Sequence, residues 1–204
     1  MPPGGRDVFE YLSEKYGNPI SQVKINQERI YQRAAEIGFT FHPEGRKRVY
    51  NTFNGHRLLH WAGEEFDAAA QLRLKKALFH TYFTLAVSMD EPQHLLDAVA
   101  RANLPVSRAQ AVIESDEFSQ AVRDIEQQYG QLGISSVPAV IFNQRHLISG
   151  AQAPEVFAQD ILEYAESTRY TLILFWITNL PQTPICFATK AFAASGLRLR
   201  TWIP

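Results

Sequence analysis

The sequence predicts an α/β protein rich in helices, and three observations around residues 133–150 lead to that prediction. Two short apolar runs, Ala139–Phe142 and His146–Ser149, flank the polar residues 143–145, which have the length and composition of a β-hairpin turn. Pro138 opens the first run, where a residue without a donor N–H is tolerated in a sheet. A helical pattern precedes this hairpin and another follows it.

Length and composition are those of a globular protein with a sizeable core. The chain has 204 residues, of which 46% are hydrophobic and 20% are charged. A formal net charge of -1 gives no electrostatic reason to expect a nucleic acid or an acidic membrane surface as partner. The first residues lack the pattern of a secretion signal, and the single cysteine, Cys186, excludes an internal disulfide. We therefore expect a cytoplasmic protein that binds neither nucleic acid nor membrane.

Helical periodicity dominates residues 1–132, and capping residues predict where the first helices begin and end. Asp7 is placed to cap a helix that Gly17 ends, and Ser21 is placed to cap a second helix that Gly38 ends. The expected inward stripe of the second helix consists of residues three or four apart, namely Val23, Gln27, Ile30, Ala34 and Ile37.

The next predicted helices form an all-α segment in front of the hairpin. A helix starts at Asn51-Thr52 and is interrupted at Gly63, and a long helix from Glu64 to Val87 follows as the spine of the segment. Before them, the sequence of residues 46–48 is typical of a solvated basic loop. Further helices are expected to start at Pro92, at Ser107 and at Ser115.

These patterns divide the chain into three regions. Residues 1–132 are expected to form a mostly helical domain, residues 133–166 a half-domain of hairpin and helix, and residues 167–204 an atypical tail. The tail contains no Asp or Glu, and its apolar run Tyr170–Ile177 is far shorter than the roughly 20 residues of a membrane helix. Three interpretations of the tail stay open: a frameshifted sequence without a role, a native extra strand, or a replacement for a missing strand in which Cys186 starts a helix.

The order of elements around the hairpin is that of the second half of a thioredoxin-type fold, and several motifs support a family resemblance. The motifs are Met1-Pro-Pro-Gly-Gly5, Asn51-Thr52, residues 56–62, residues 133–138, Ile148-Ser-Gly-Ala-Gln152 and Pro154-Glu-Val-Phe157. In this order they resemble the DsbA-like thioredoxin-fold oxidoreductases, specifically the FrnE-type branch, which is related to 2-hydroxychromene-2-carboxylate isomerase. The resemblance implies a DsbA-type fold with a large all-α insertion, a cis peptide bond before Pro138, and exchange with protein thiols or disulfides.

The resemblance also implies elements that this chain lacks. In the family the Pro-Pro-Gly-Gly loop follows the second strand, so the two N-terminal strands and the Cys-X-X-Cys helix are expected to be missing. Thiol–disulfide exchange starts from a thiolate, and a second cysteine resolves the mixed disulfide. Because Cys186 is the single cysteine, we expect a catalytically incomplete member of the family.

Two groups of residues are candidates for binding. Ser136, Val137 and Pro138 are expected to bind substrate, because backbone groups beside a cis proline can hold an extended peptide by β-addition. The alternative is that Pro138 only shapes the start of the strand. A second group, Asn51, His56 and Arg57, is a possible cleft where the isomerase relatives receive glutathione and substrate.

Plainer interpretations compete with this second group. Asn51 is suited to capping a helix, and His56 to ordinary packing. His56, His60 and Glu64 are spaced to share one helix side, but the sequence offers no Cys/His motif for the remaining zinc ligands, so we expect no metal and no resident cofactor.

Three functions therefore compete at the level of the sequence. They are an incomplete disulfide oxidoreductase, a glutathione-dependent isomerase, and a non-catalytic peptide-binding module. In all three, a missing first strand would leave one edge of the strand 139–142 unpaired, and such an edge invites dimerisation or strand exchange. We therefore expect either a second copy of the chain or a strand of the tail along that edge.

Overall fold

A computed structural model describes residues 1–134, 138–142, 146–169 and 200–202. The chain divides into two units, Met1–Arg123 and Asp124–Pro204, and each is described by itself. The elements in chain order are β1 Arg6–Asp7, α1 Val8–Tyr16, α2 Ile20–Glu36, β2 Arg48–Val49, α3 Phe53–Glu65, α4 Ala68–Phe79, a π-helical turn His80–Thr84, α5 Pro92–Arg101, α6 Val106–Glu114, α7 Ser119–Gln131, β3 Ala139–Phe142, β4 His146–Ser149, α8 Pro154–Arg169 and β5 Arg200–Trp202.

Local sequence sets the bounds of α1 but not the start of α2. The carboxylate of Asp7 accepts hydrogen bonds from the N–H groups of Phe9 and Glu10, and Gly17 ends α1 with a left-handed φ of 67°, which confirms both predictions. The predicted cap at Ser21 is wrong. The carbonyl of Pro19 already accepts from the next turn, so α2 begins before Ser21 is reached.

The apolar stripe of α2 is only partly covered. Val23 and Ala34 are buried as the spacing predicts, but Ile30 is 58% exposed and Ile37 is 82% exposed. Ile30 lies on the flank of the stripe and Ile37 lies just past the last residue of α2, so the prediction that these two side chains face the core is wrong.

The basic residues 46–48 differ in part from the predicted solvated loop: Arg48 is exposed but belongs to β2, and Arg46 is half-buried. Arg48 donates from its guanidinium to the carbonyls of Gly4 and Gly5, at 2.5 and 2.8 Å. Arg46 donates to the Tyr82 hydroxyl at 2.6 Å and lies over that ring. Lys47 remains exposed and pairs with a neighbouring carboxylate. The partners of the two arginines are distant in sequence, so local composition could not show them.

The helical core of the first unit is built from α3 to α6. Its buried members are Leu58, Trp61, Ala62, Ala70, Leu74, Ala77, Leu78, Tyr82, Met89, Leu95, Leu96, Ala98, Val99, Ala102, Leu104, Ala109 and Val112. Trp61 and Leu58 are fully buried and fill its centre. Burying a side chain of that size stabilises the fold by about 2 kcal/mol relative to exposure, so these residues carry much of the stability of the unit.

The predicted break at Gly63 and the predicted long helix from Glu64 to Val87 are both wrong. The helix α3 runs through Gly63, and the break follows at Asp67, whose carboxylate caps α4 by accepting from the N–H of Ala70 at 2.6 Å. Gly63 instead lets α4 approach α3, because a Cβ at this position would lie 2.7 Å from the amide nitrogen of Gln71.

A π-helical turn ends the spine of the core. In this turn Leu85 N–H donates to the carbonyl of His80, and Thr81 and Tyr82 are both buried. Leu85 lies beyond the turn and is 44% exposed. The turn therefore replaces the continuous helix that periodicity alone predicts.

The predicted hairpin is confirmed in the second unit. The strands β3 and β4 pair antiparallel from Ala139↔Ser149 to Phe142↔His146, and β5 pairs antiparallel with the other edge of β3. The expected tail strand along that edge is thus present as β5, whereas the apolar run Tyr170–Ile177 lies outside the described residues. A small core forms where Val140, Phe142 and Ile148 pack against Phe157 and Ile161 of α8.

Among the described residues, no helix is both long enough and apolar enough to cross a lipid bilayer.

The contact at Gly5 gives a direct test of the β1–β2 pairing. Gly5 has φ of +71°, and a Cβ there would lie 2.4 Å from the carbonyl oxygen of Val49. We expect Gly5→Ala to lower the free energy of unfolding by about 3 kcal/mol, since a left-handed alanine costs about 1 kcal/mol and the overlap adds about 2. Urea unfolding followed by circular dichroism measures the change.

Gly4→Ala is the matched control for that experiment. Gly4 has φ of +77°, and nothing lies within 4 Å of a Cβ placed there. This substitution should cost about 1 kcal/mol, the backbone strain alone. Equal losses for the two variants would contradict the close packing of Gly5 on β2.

Candidate functional site

The predicted peptide site, residues 136–138, borders the start of β3, and Pro138 is the member of this site that the structure describes. Pro138 is exposed, and its carbonyl accepts a hydrogen bond from the N–H of Gly150 at 2.8 Å. Gly150 has φ of 83°, a left-handed conformation that favours glycine at the end of β4. The next residue, Ala139, is only 3% exposed. The chain therefore changes from surface to core within one residue at this point.

Pairing on both edges limits where a peptide could bind. From Ala139 to Ile141, β3 is paired with β4 on one side and with β5 on the other. Pro138 has no N–H, and its carbonyl is already bonded to Gly150. A peptide added to this strand would therefore have to pair with residues that precede Pro138. Ser136 and Val137 are in that position, but they lie outside the described residues, so their role and the cis bond stay predictions.

The hairpin that carries this site is anchored by aromatic and aliphatic contacts. On β4, the ring of His146 lies 6.5 Å from that of Phe142 and 6.1 Å from that of Tyr164 on α8. Phe157 of α8 also packs beneath the strands. These contacts hold the hairpin on α8, and hence they hold the start of β3 in place.

The contacts of Asn51 are those of a residue that organises a helix start. Its side-chain oxygen accepts from the N–H of Phe53 at 3.0 Å, and its own N–H donates to Asp90 at 3.0 Å. The other carboxylate oxygen of Asp90 accepts from the N–H of Gly4 at 3.1 Å. These contacts favour the capping interpretation of Asn51 over a role in binding glutathione.

Arg57 is a buried cation whose hydrogen bonds go to the backbone. It is 4% exposed and donates to the carbonyls of Val112, Ser115 and Glu117, the last at 2.9 Å. A further bond, also 2.9 Å long, reaches the side chain of Asn54. These carbonyls lie at the C-terminal end of α6 and just after it, where partial negative charge favours a cation. The guanidinium thus fixes the connection between α6 and α7 and does not face an open cleft.

His56 is half-buried on α3, and burial dominates its electrostatics. Removal from water lowers the pKa of its imidazole, and the positive charge of Lys75 lowers this pKa further. The neutral ring is therefore the favoured form. His60, one turn further on, has its ring 5.5 Å from the ring of Phe118. No group of three or more metal-binding side chains occurs in the part of the chain that the structure describes.

An ion-pair cluster that the sequence analysis did not identify joins α3 to α6. Arg108 on α6 pairs with Glu65 at 2.5 Å and with Glu117 at 2.6 Å. Glu65 also accepts from the indole N–H of Trp61 at 2.8 Å. The hydrogen bonds from Arg108 hold the pKa of both carboxyl groups below the usual range. The spacing of Trp61 and Glu65 was a visible signal, whereas the partner from α6 was not.

Cys186, the remaining candidate from the sequence, lies outside the described residues. A thiol function for it therefore stays a prediction.

Comparison with known proteins agrees with this architecture. A family model described as a DSBA-like thioredoxin domain matches residues 12–162. The crystal structure of a probable DsbA oxidoreductase from Streptomyces coelicolor aligns with a TM-score of 0.70 and 24% identity, covering 98% of this chain and 77% of that chain. No curated protein sequence matches the chain. The expected α/β fold of the DsbA type with a helical insertion is thereby confirmed.

Replacing Arg57 tests whether the α6–α7 connection depends on its guanidinium. We expect Arg57→Met to lower the free energy of unfolding by about 3 kcal/mol or more, because several buried carbonyls lose their donor at once. Arg73→Met is the control, since this exposed arginine makes one bond of 3.2 Å to the carbonyl of Ala102. The control should cost less than about 1 kcal/mol. Chemical denaturation measures both, and similar losses would contradict the assigned role.

The environment of His56 predicts how stability depends on pH. Because its pKa is lowered on folding, the unfolded chain takes up a proton more readily than the folded chain. The contribution of His56 to stability is therefore complete above about pH 6.5, the ordinary histidine pKa, and decreases as the pH falls below it. We expect the unfolding free energy of the parent protein to fall faster between pH 7 and pH 5 than that of His56→Gln. Parallel curves would contradict the prediction.

Proposed function

The chain belongs to the DSBA-like thioredoxin domain family, and on that premise we propose that it binds extended protein thiol or disulfide substrates at the start of β3 without completing thiol–disulfide exchange by itself. Membership of the FrnE-type branch and a cytoplasmic location are part of this proposal. They rest on the motifs around Asn51-Thr52 and Ile148–Gln152 and on the single cysteine.

One observation supports the location of the binding site. The two edges of β3 are paired as far as Ala139, and Pro138 is exposed with its carbonyl bonded to Gly150. Backbone groups able to pair with an added strand would therefore be those just before Pro138. Main-chain hydrogen bonds give affinity for an extended peptide with little dependence on its sequence, as a general thiol–disulfide protein requires.

The number of cysteines supports the second half of the proposal. In exchange, a thiolate attacks a substrate disulfide, one substrate sulfur leaves as a thiolate, and the protein and substrate are joined by a mixed disulfide. A second thiol must then attack that bond to release the substrate. Cys186 is the single cysteine of this chain, so the second thiol would have to come from glutathione or from another protein.

The isomerase alternative receives less support from the side-chain contacts. It needs Asn51, His56 and Arg57 to face a bound glutathione. In the structure Arg57 is buried against backbone carbonyls, and Asn51 is bonded to Phe53 and Asp90. A glutathione-dependent rise in melting temperature would nevertheless favour this alternative over peptide binding.

The proposal predicts binding without turnover. We expect a fluorescein-labelled, reduced and alkylated insulin B chain to bind, as measured by fluorescence anisotropy. Pro138→Ala should weaken this binding about fivefold, equivalent to about 1 kcal/mol, because alanine leaves φ free at position 138 and the backbone beside the site is then less well ordered before the peptide binds. In the insulin reduction assay with dithiothreitol, the chain should give no acceleration over dithiothreitol alone.

Two controls make these outcomes interpretable. Pro43→Ala alters an exposed proline in a turn of the first unit and should leave peptide binding unchanged. Cys186→Ser should bind the peptide as the parent does, because binding is assigned to the backbone. Absence of peptide binding, or insulin reduction that is lost in Cys186→Ser, would overturn the proposal.

A further inference from the structure

The edge of β3 opposite β4 is covered by the last described strand of the chain. The residue pairs are Ala139↔Trp202, Val140↔Thr201 and Ile141↔Arg200. The strand β3 is also more buried than β4, because Ala139, Val140 and Phe142 are each less than one-tenth exposed, whereas β4 has one buried residue. Its backbone groups along this edge therefore need protein partners in place of water.

The strand that meets this need is short and is remote in sequence from the hairpin. The strand β5 contains three residues, and residues 170–199 separate it from α8. Each backbone hydrogen bond contributes about 1 kcal/mol net. A strand of three residues is therefore held on β3 by only a small free energy. Because residues 170–199 separate β5 from α8 in the sequence, no turn of two or three residues dictates which molecule supplies the strand that pairs with β3.

These features make the pairing of β3 with β5 suitable for exchange between molecules. The same residues that pair within one chain can pair between two chains with no new surface required. The strand that would pair with this edge of β3 in a dimer is therefore Arg200–Trp202 of the second molecule. It would pair in the same register that β5 has within one chain. Trp and Thr favour extended backbone, which suits this segment to either situation.

We propose that β5 is an exchangeable strand, and that the β3 edge of one molecule accepts Arg200–Trp202 of a second copy to give a strand-swapped dimer. The dimer forms as the protein concentration rises, because the chain's own β5 competes with that of its neighbour. This inference does not rest on the proposed peptide site, which involves the backbone before Pro138 and not the edge from Ala139 to Ile141.

Cysteine cross-linking tests the pairing and its exchange separately. In a Cys186→Ser background, the double variant Ile141→Cys/Arg200→Cys places a thiol at each member of a Cα partner pair. Directly opposed residues of an antiparallel pair lie about 4.5 to 5.5 Å apart, within disulfide range. At low protein concentration we expect oxidation to give a cross-linked monomer, seen as a mobility shift on a non-reducing gel.

Exchange is measured by mixing two single variants, Ile141→Cys and Arg200→Cys, each in the Cys186→Ser background. Oxidation should yield a covalent dimer whose fraction increases with protein concentration. The matched control replaces Arg200→Cys with Thr201→Cys, because a shift of one residue turns the thiol to the opposite face of the sheet. The control mixture should give about tenfold less dimer. Equal yields from the two mixtures, or no cross-link in the double variant, would overturn the proposal.

A second measurement avoids the cysteine variants, in case Ile141→Cys does not fold. Light scattering during size-exclusion chromatography of the parent chain should show a dimer fraction that increases with concentration. Thr201→Pro should abolish that dimer, since proline in the middle of β5 removes an N–H and clashes with the ladder. A parent chain that stays monomeric at every concentration, or a dimer unaffected by Thr201→Pro, would contradict the exchange of β5.

Discussion

The buried guanidinium of Arg57 is the constraint on which the first unit depends. A cation with 4% exposure is costly unless its N–H groups are satisfied, and here three backbone carbonyls and one side-chain amide satisfy them. The carbonyls belong to the end of α6 and the segment before α7. The side chain therefore joins α3, in the middle of the helical core, to the connection between α6 and α7 through three backbone hydrogen bonds. The Arg108 ion pairs stabilise the same connection from the surface. Their contribution to stability is smaller, because the paired groups are partly solvated.

Elements that depend on neighbouring residues were predictable from the sequence. The hairpin, the Asp7 cap and the stop at Gly17 each follow from groups a few residues apart. The break at Asp67 was missed because Gly63 is a more obvious interruption, yet Gly63 faces Gln71 on the packed side of α3. The need for glycine at position 63 is explained by the packing of α4, which follows α3 in the chain.

The candidate site shows the same division. The position of Pro138 at the start of β3 was visible in the sequence, because a proline before an apolar run has few other places in a sheet. The commitment of Arg57 to carbonyls near Ser115 was not visible, since no local pattern connects residues that far apart. The sequence alone favours a binding role for a charged residue such as Arg57. Its contacts instead show that it stabilises the fold. The backbone just before Pro138 therefore stays the place where we propose that an extended peptide binds.

The π-helical turn at His80–Thr84 has a consequence for which positions tolerate mutation. An α-helix advances about 100° per residue, so Leu85 would continue the inward line of Leu74 and Leu78 if the helix were regular. The wider turn gives that inward place to Tyr82, whose hydroxyl receives Arg46, and moves Leu85 outward. Position 85 should accordingly vary among related chains, because a polar side chain there would lower the stability of the fold only slightly. An aromatic residue with a hydroxyl should persist at position 82, although hydrophobicity profiles would rank the two positions the other way round.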